Sequence, residues 1–146
     1  MNYKSVCVHV LELDDTIRFA GIASDTGSGV GSNDNATAAK ILAAEYRQGL
    51  VPLLTTKESE LSIMQTLIRM SIRRTLEQRL GKTIYATAVY EKVKRATIAM
   101  NNGGSRPYDA FLMVSFEKEA DHDKIITKKI LPFLNEIGKG LAVTKG

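Results

Sequence analysis

The chain has 146 residues, 44% hydrophobic and 25% charged, with a formal net charge of +4; that length suits a single domain burying roughly two-thirds of its unfolded surface. No apolar run approaches the ~18 residues that a membrane-crossing helix needs, so no membrane span is expected. A lone cysteine, Cys7, excludes an internal disulfide and any cysteine-based metal cluster within one chain.

The start, Met1-Asn2-Tyr3-Lys4, has no signal-peptide layout, and cytoplasmic residence is the expectation. Residues 4–13 (KSVCVHVLEL) alternate Val6, Val8 and Val10 against Cys7, His9 and Leu11. Both sets are largely apolar, which predicts an interior strand covered on two sides. Asp14 and Asp15 supply a turn, and residues 16–24 (TIRFAGIAS) a second strand in an antiparallel hairpin. Residues 25–35 (DTGSGVGSNDN) hold Gly27, Gly29 and Gly31 and predict a flexible loop. The alanine-rich stretch 36–48 predicts a helix capped by Asp34 or Asn35 and ending before Gly49. Residues 50–54 are apolar but carry Pro52, so a docked connector is expected rather than a strand.

Thr55 to Glu58 spells a capping box, opening a helix that runs to Leu80, with Gly81 as its C-cap. Leu61, Met64, Leu67, Ile68, Ile72, Leu76 and Leu80 recur at three-to-four spacing and predict its buried face. Residues 82–90 and 92–100 are β-rich and predict a second hairpin. Residues 101–107 (NNGGSRP) predict a loop. Residues 109–116 (DAFLMVSF) predict another central strand. A closing helix begins at Asp121 or His122 and buries Ile125, Ile126, Ile130, Leu134 and Ile137, with Pro132 kinking or splitting it.

The predicted order is therefore ββααβββα, an α+β fold. Adjacent hairpins and two doubly apolar strands, the first and the fifth, point to a five-stranded antiparallel sheet in the order 2-1-5-4-3. This layout resembles the roadblock and longin domains of the profilin-like group. The predicted chain lacks the leading helix usual in roadblock domains, which favours the longin-style start. IRFAGIAS (17–24), GLVPLL (49–54), LGKTIYA (80–86), YEKVKRATI (90–98) and LMVSFEKEADHDKII (112–126) resemble a family of small archaeal proteins with such a domain. The matching phrases touch about half of the chain, while the glycine-rich stretch and residues 36–48 stand outside them. The resemblance implies the fold over residues 1–146 and the compartment, and it carries no catalytic residues with it.

Several motifs suggest chemistry without the context it needs. Asp25-Thr26-Gly27-Ser28 is an aspartic-protease word, but Ala23-Ser24 precede it rather than a strongly apolar strand, and the long helix has no place in that small β-rich fold. Gly27, Gly29 and Gly31 suggest a phosphate cradle; Ser32 stands where a dinucleotide fingerprint needs glycine, and no P-loop ending follows. His122 lies among Glu119, Asp121 and Asp123, which suits a helix N-terminus better than a metal site. Cys7 near His9 is a small buried hydrophobe on the same reasoning.

Charge is unevenly placed. Between Arg69 and Arg106 nine basic residues face only Glu77 and Glu91, a surplus of seven, so the rest of the chain is net negative. Such asymmetry suits an anionic partner, a solvated helix face, or an edge protected against aggregation. The reading that follows is a non-enzymatic protein-interaction module, expected to be a homodimer, with residues 92–100 or the long helix as contact surface. It needs no cofactor and no metal. One alternative is a small-ligand or anion binder using the glycine-rich loop with Arg69 and Arg73. Another, less favoured, is a nucleic-acid binder using Lys92, Lys94 and Arg95 interleaved with Tyr85 and Tyr90.

Overall fold

In the computed structural model, which describes residues 2–25, 39–100 and 110–145, Tyr3–Leu13 is a helix, α1, and not the predicted strand. Tyr3, Val6, Cys7 and Val10 recur at i, i+3, i+4 and i+7, a helical period hidden beneath the alternating valines. Val6, Cys7 and Val10 are buried, whereas Val8, which a strand would place beside Val6 and Val10, is 39% exposed. Asn2 caps the helix, its Oδ1 accepting from the Ser5 amide at 3.0 Å, which satisfies one of the free donors of the first turn. The β preference of valine gives way because burial decides such segments more strongly than propensity.

The sheet consists of β1 (Ile17–Asp25), β2 (Ala39–Tyr46), β3 (Tyr85–Val89), β4 (Val93–Ala99) and β5 (Phe111–Glu117). All neighbours are antiparallel, in the order β2-β1-β5-β4-β3. The predicted spatial order holds, but the first two strands are different segments. Residues 17–25 take the inner place assigned to 4–13, and 39–46 form the edge. The expected helix over 36–48 is thus corrected to a strand over its described part. Helix propensity is a weak prior, and here pairing with β1 from Phe19–Tyr46 to Asp25–Ala39 overrides it. The element order begins with a helix, so the longin-style start without one is corrected too. Gly27, Gly29 and Gly31 lie outside the described residues.

Period-two alternation along β5 sorts the core into two layers. Leu112, Val114 and Phe116 face α1 and the closing helical segment, joining Val10, Ile126 and Ile130. Phe111 and Met113 face the other way and pack with Ile63, Leu67 and Met70 of α2 (Thr56–Arg74). The predicted long helix ends at Arg74, and a single short turn, α3 (Glu77–Leu80), follows it. Gly81 then takes φ +84°, the left-handed conformation in which glycine carries no Cβ penalty.

The closing segment splits as Pro132 predicts. It comprises α4 (His122–Ile125), a π-helical turn (Ile126–Ile130) and α5 (Leu131–Lys145). Proline has no amide hydrogen and crowds the preceding turn; a wide π turn immediately before it relieves that conflict. Two long polar side chains fasten this layer. Arg47 donates to the carbonyls of Ile17, Leu11 and Asp14 at 2.7, 2.6 and 2.8 Å, taking up acceptors at the free end of α1. Lys129 Nζ lies 2.9 Å from Asp14 Oδ2.

Candidate functional site

Helix α2 forms where the capping box stands. Thr55 Oγ1 accepts from the Glu58 amide at 3.2 Å, and Glu58 Oε1 accepts from the Thr55 amide at 2.9 Å. The Thr55 amide above all, with the Thr55 side chain behind it, holds the Glu58 carboxyl below its ordinary pKa. The buried side of the helix is Ser62, Ile63, Thr66, Leu67 and Met70. Its two hydroxyls are satisfied: Thr66 Oγ1 donates to the Ser62 carbonyl at 3.0 Å, and Ser62 Oγ pairs with Arg95 Nη2. The predicted buried face is therefore corrected, since of its seven residues only Leu67 is buried.

At ~100° per residue, Leu61, Ile68 and Ile72 lie nearly opposite the buried side, with Met64 beside them. Leu61 is 53%, Ile68 53% and Ile72 64% exposed. A second apolar stripe pointing away from its own sheet has no use in the isolated chain, and such patches mark contact surfaces. An open strand edge accompanies it: among the described residues β3 pairs with β4 alone, leaving its outer row of backbone groups as a template for another strand. Residues 92–100, expected as a contact surface, hold β4, which is paired on both sides with β3 and β5.

Between α2, the 50–54 connector and the β3–β4 hairpin lies a groove of about 730 Å³. Arg69 and Arg73, one helical turn apart, line it from α2, and Lys92 and Arg95 line it from the hairpin. Lys94 points the other way, its Nζ donating to the Ala120 carbonyl at 2.7 Å; neighbouring strand residues face opposite sides. The tyrosines divide likewise. Tyr90 lines the groove, while the Tyr85 hydroxyl donates to Asp123 Oδ1 at 3.3 Å. The expected row of cations and aromatics on one surface is thus split between two.

Arg18 also reaches the groove, but its guanidinium is tied to Glu117 at 2.9 Å. Among the described residues, Arg69, Arg73, Lys92 and Arg95 have no ion-pair partner. Glu91 is the one carboxylate lining the groove among the described residues. The apolar walls from Phe19, Ile63 and Met113 come from three separate elements, so no local pattern announces them.

The remaining candidates carry no comparable arrangement. Burial, with Glu45 adding to it, pushes the Cys7 thiol up to about 11, so it stays protonated and inert. His9 stacks on Phe133 at 4.2 Å. No group of three or more His, Cys, Asp or Glu with metal-holding geometry occurs among the described residues. No described helix is long and apolar enough to cross a membrane.

Neither a protein-family model nor a curated protein sequence matches the chain. Solved structures do. The fold is similar to a Roadblock/LC7 domain from Streptomyces avermitilis, with TM-score 0.56 and 12% identity over 92% of this chain and 98% of that one. It is also similar to MglB of Myxococcus xanthus, with TM-score 0.60 and 13% identity over 94% and 86%. A further MglB structure, described in a tetrameric arrangement, gives TM-score 0.59 and 14% identity over 94% and 83%. At these identities the likeness is one of fold: the chain carries a roadblock-like sheet.

Proposed function

We propose that this protein is a non-enzymatic interaction module that pairs with a second copy of itself through the outer stripe of α2 and the free edge of β3. The carrying observation is the apolar stripe Leu61, Met64, Ile68 and Ile72 on the side of α2 turned away from its own sheet. Covering that stripe removes apolar surface from water. Aligning two β3 edges satisfies backbone groups that otherwise face solvent. The tetrameric arrangement of one MglB structure supports a fold that builds assemblies, as an analogy of architecture.

Analytical ultracentrifugation tests the reading. The wild-type chain is expected to sediment as a dimer at micromolar concentration, and Ile68→Glu as a monomer. A charge placed in an apolar contact weakens association by about a hundredfold or more. Because Ile68 is exposed in the single chain, its replacement should change thermal stability of the monomer by no more than about 0.5 kcal/mol. A wild-type chain that stays monomeric at high micromolar concentration would overturn the homodimer.

A further inference from the structure

We infer that the groove between α2 and the β3–β4 hairpin binds a small amphiphilic anion, an apolar body carrying one carboxylate or phosphate head. This goes beyond self-association, because the groove is built within one chain and its residues are distinct from the outer stripe of α2. Three observations converge on it.

Size comes first. A cleft of about 730 Å³ lies within the ~300–1,000 Å³ typical of small-molecule sites. The second observation is charge. Arg69 and Arg73 project from α2, Lys92 and Arg95 from the hairpin, and all four line the same space. None is ion-paired among the described residues. Converging like charges repel one another, most strongly where the surroundings are partly desolvated, and a bound anion removes that cost. Arg95 spends one donor on Ser62 and Arg73 one on Met70 Sδ; a guanidinium carries five, so both keep donors for an oxyanion. The third observation is the wall. Phe19, Ile63, Met113, Val93, Leu53 and Leu54 contribute to the lining, and they suit an alkyl or aryl body rather than a bare phosphate. The distribution of cations over two elements favours a compact head group over a nucleic-acid strand, which would need a continuous track and several exposed aromatics.

Four probes of one chain length separate the terms: decanoate, decyl phosphate, decanol and decyltrimethylammonium, each below its micelle concentration. Binding is followed by amide NMR shifts on the dimer and on Ile68→Glu. The two anions are expected to shift the amides of Arg69, Arg73, Lys92 and Arg95, in both proteins. Decanol should bind about a hundredfold more weakly, since it gives up at least two charge-assisted contacts worth roughly a factor of ten each, and the cation should not bind. Comparing decanoate with decyl phosphate tells a carboxylate site from a phosphate site. Arg69→Gln with Arg73→Gln, both exposed and outside the core, should cost the anions about a hundredfold and leave decanol unchanged; Arg95→Gln should give a smaller loss. Equal binding of decanol and decanoate, or shifts confined to Leu61, Ile68 and Ile72, would overturn the site. So would anion binding that disappears in monomeric Ile68→Glu, because the groove would then need the second copy. If the wild type proves monomeric and still binds the anions, self-association fails and this site stands.

Discussion

The two faces of the sheet are covered very differently. On one, α1 and the closing helical segment bury a cluster of seventeen residues among those described, from Val6 to Ile130. On the other, α2 forms a cluster of six among those described, three of them its own residues. The first face is closed by apolar packing and pinned at its seam by Arg47 and Lys129. The second is closed mainly through Ala23, Phe111 and Met113 of β1 and β5, with Ala99 of β4 at the margin, and the cationic groove opens beside that cluster. One face is filled from within the chain, and the other carries the surfaces proposed above for a partner and a ligand.

A pair of core truncations offers the most forceful way to break that contrast. Phe116 is fully buried on the closed face, whereas Met113 is buried on the half-open one. Phe116→Ala should lose about 3–5 kcal/mol of unfolding free energy. Met113→Ala sits at the lower end of its range, about 2 kcal/mol, because the site borders a groove into which it can relax. Urea denaturation of both variants measures the difference. Equal losses would mean that α2 seals its face as firmly as the other helices seal theirs.

The same contrast explains which elements could be read from residues alone. The β3–β4 hairpin, β5, the start of α2 and the split at Pro132 follow from local signals: alternation, a capping box, glycine and proline. Where two local signals conflict, the residues alone do not decide between them. Residues 4–13 satisfy both a strand period and a helical one, and only the burial of Cys7 beside Val6 and Val10 decides between them. In 39–46, alanine favours a helix, but a vacant place beside β1 makes it an edge strand. On α2, the more apolar stripe lies outside, while the core side includes Ser62 and Thr66, whose hydroxyls pair with Arg95 and with the Ser62 carbonyl. The site was legible as charge and not as place. Arg69, Arg73, Lys92 and Arg95 were already candidates, but separating Lys94 from Arg95 needs the side of the sheet that each faces.

Smaller effects test how firmly each face holds its helices. Thr55→Ala removes the Oγ1 acceptor of the Glu58 amide while keeping the backbone half of the box, and should cost about 1 kcal/mol. Because α2 is anchored through a small cluster, the loss should appear as faster hydrogen exchange in the first turns of α2, with α1 unaffected. Uniform acceleration across both helices would show that the two layers open together.

Acid titration reaches the seam of the closed face. Asp14 Oδ1 accepts from the Thr16 amide at 2.9 Å and from its hydroxyl at 2.6 Å, while Oδ2 meets Lys129. The Thr16 side-chain bond above all, with Lys129 behind it, lowers its pKa from 3.8 to about 2. A carboxyl whose folded pKa is depressed contributes stability that is fully present above its unfolded pKa. That contribution fades as pH falls from 3.8 through about 2. Asp14→Asn should therefore be less stable than wild type by about 1 kcal/mol near neutrality, allowing for partial solvent screening of the pair. The gap should narrow as pH falls through that window, where wild-type Asp14 takes up the proton and loses its charge. A gap that stays constant down to pH ~2 would mean that the carboxylate charge contributes nothing and that the end of α1 is held by Arg47 alone.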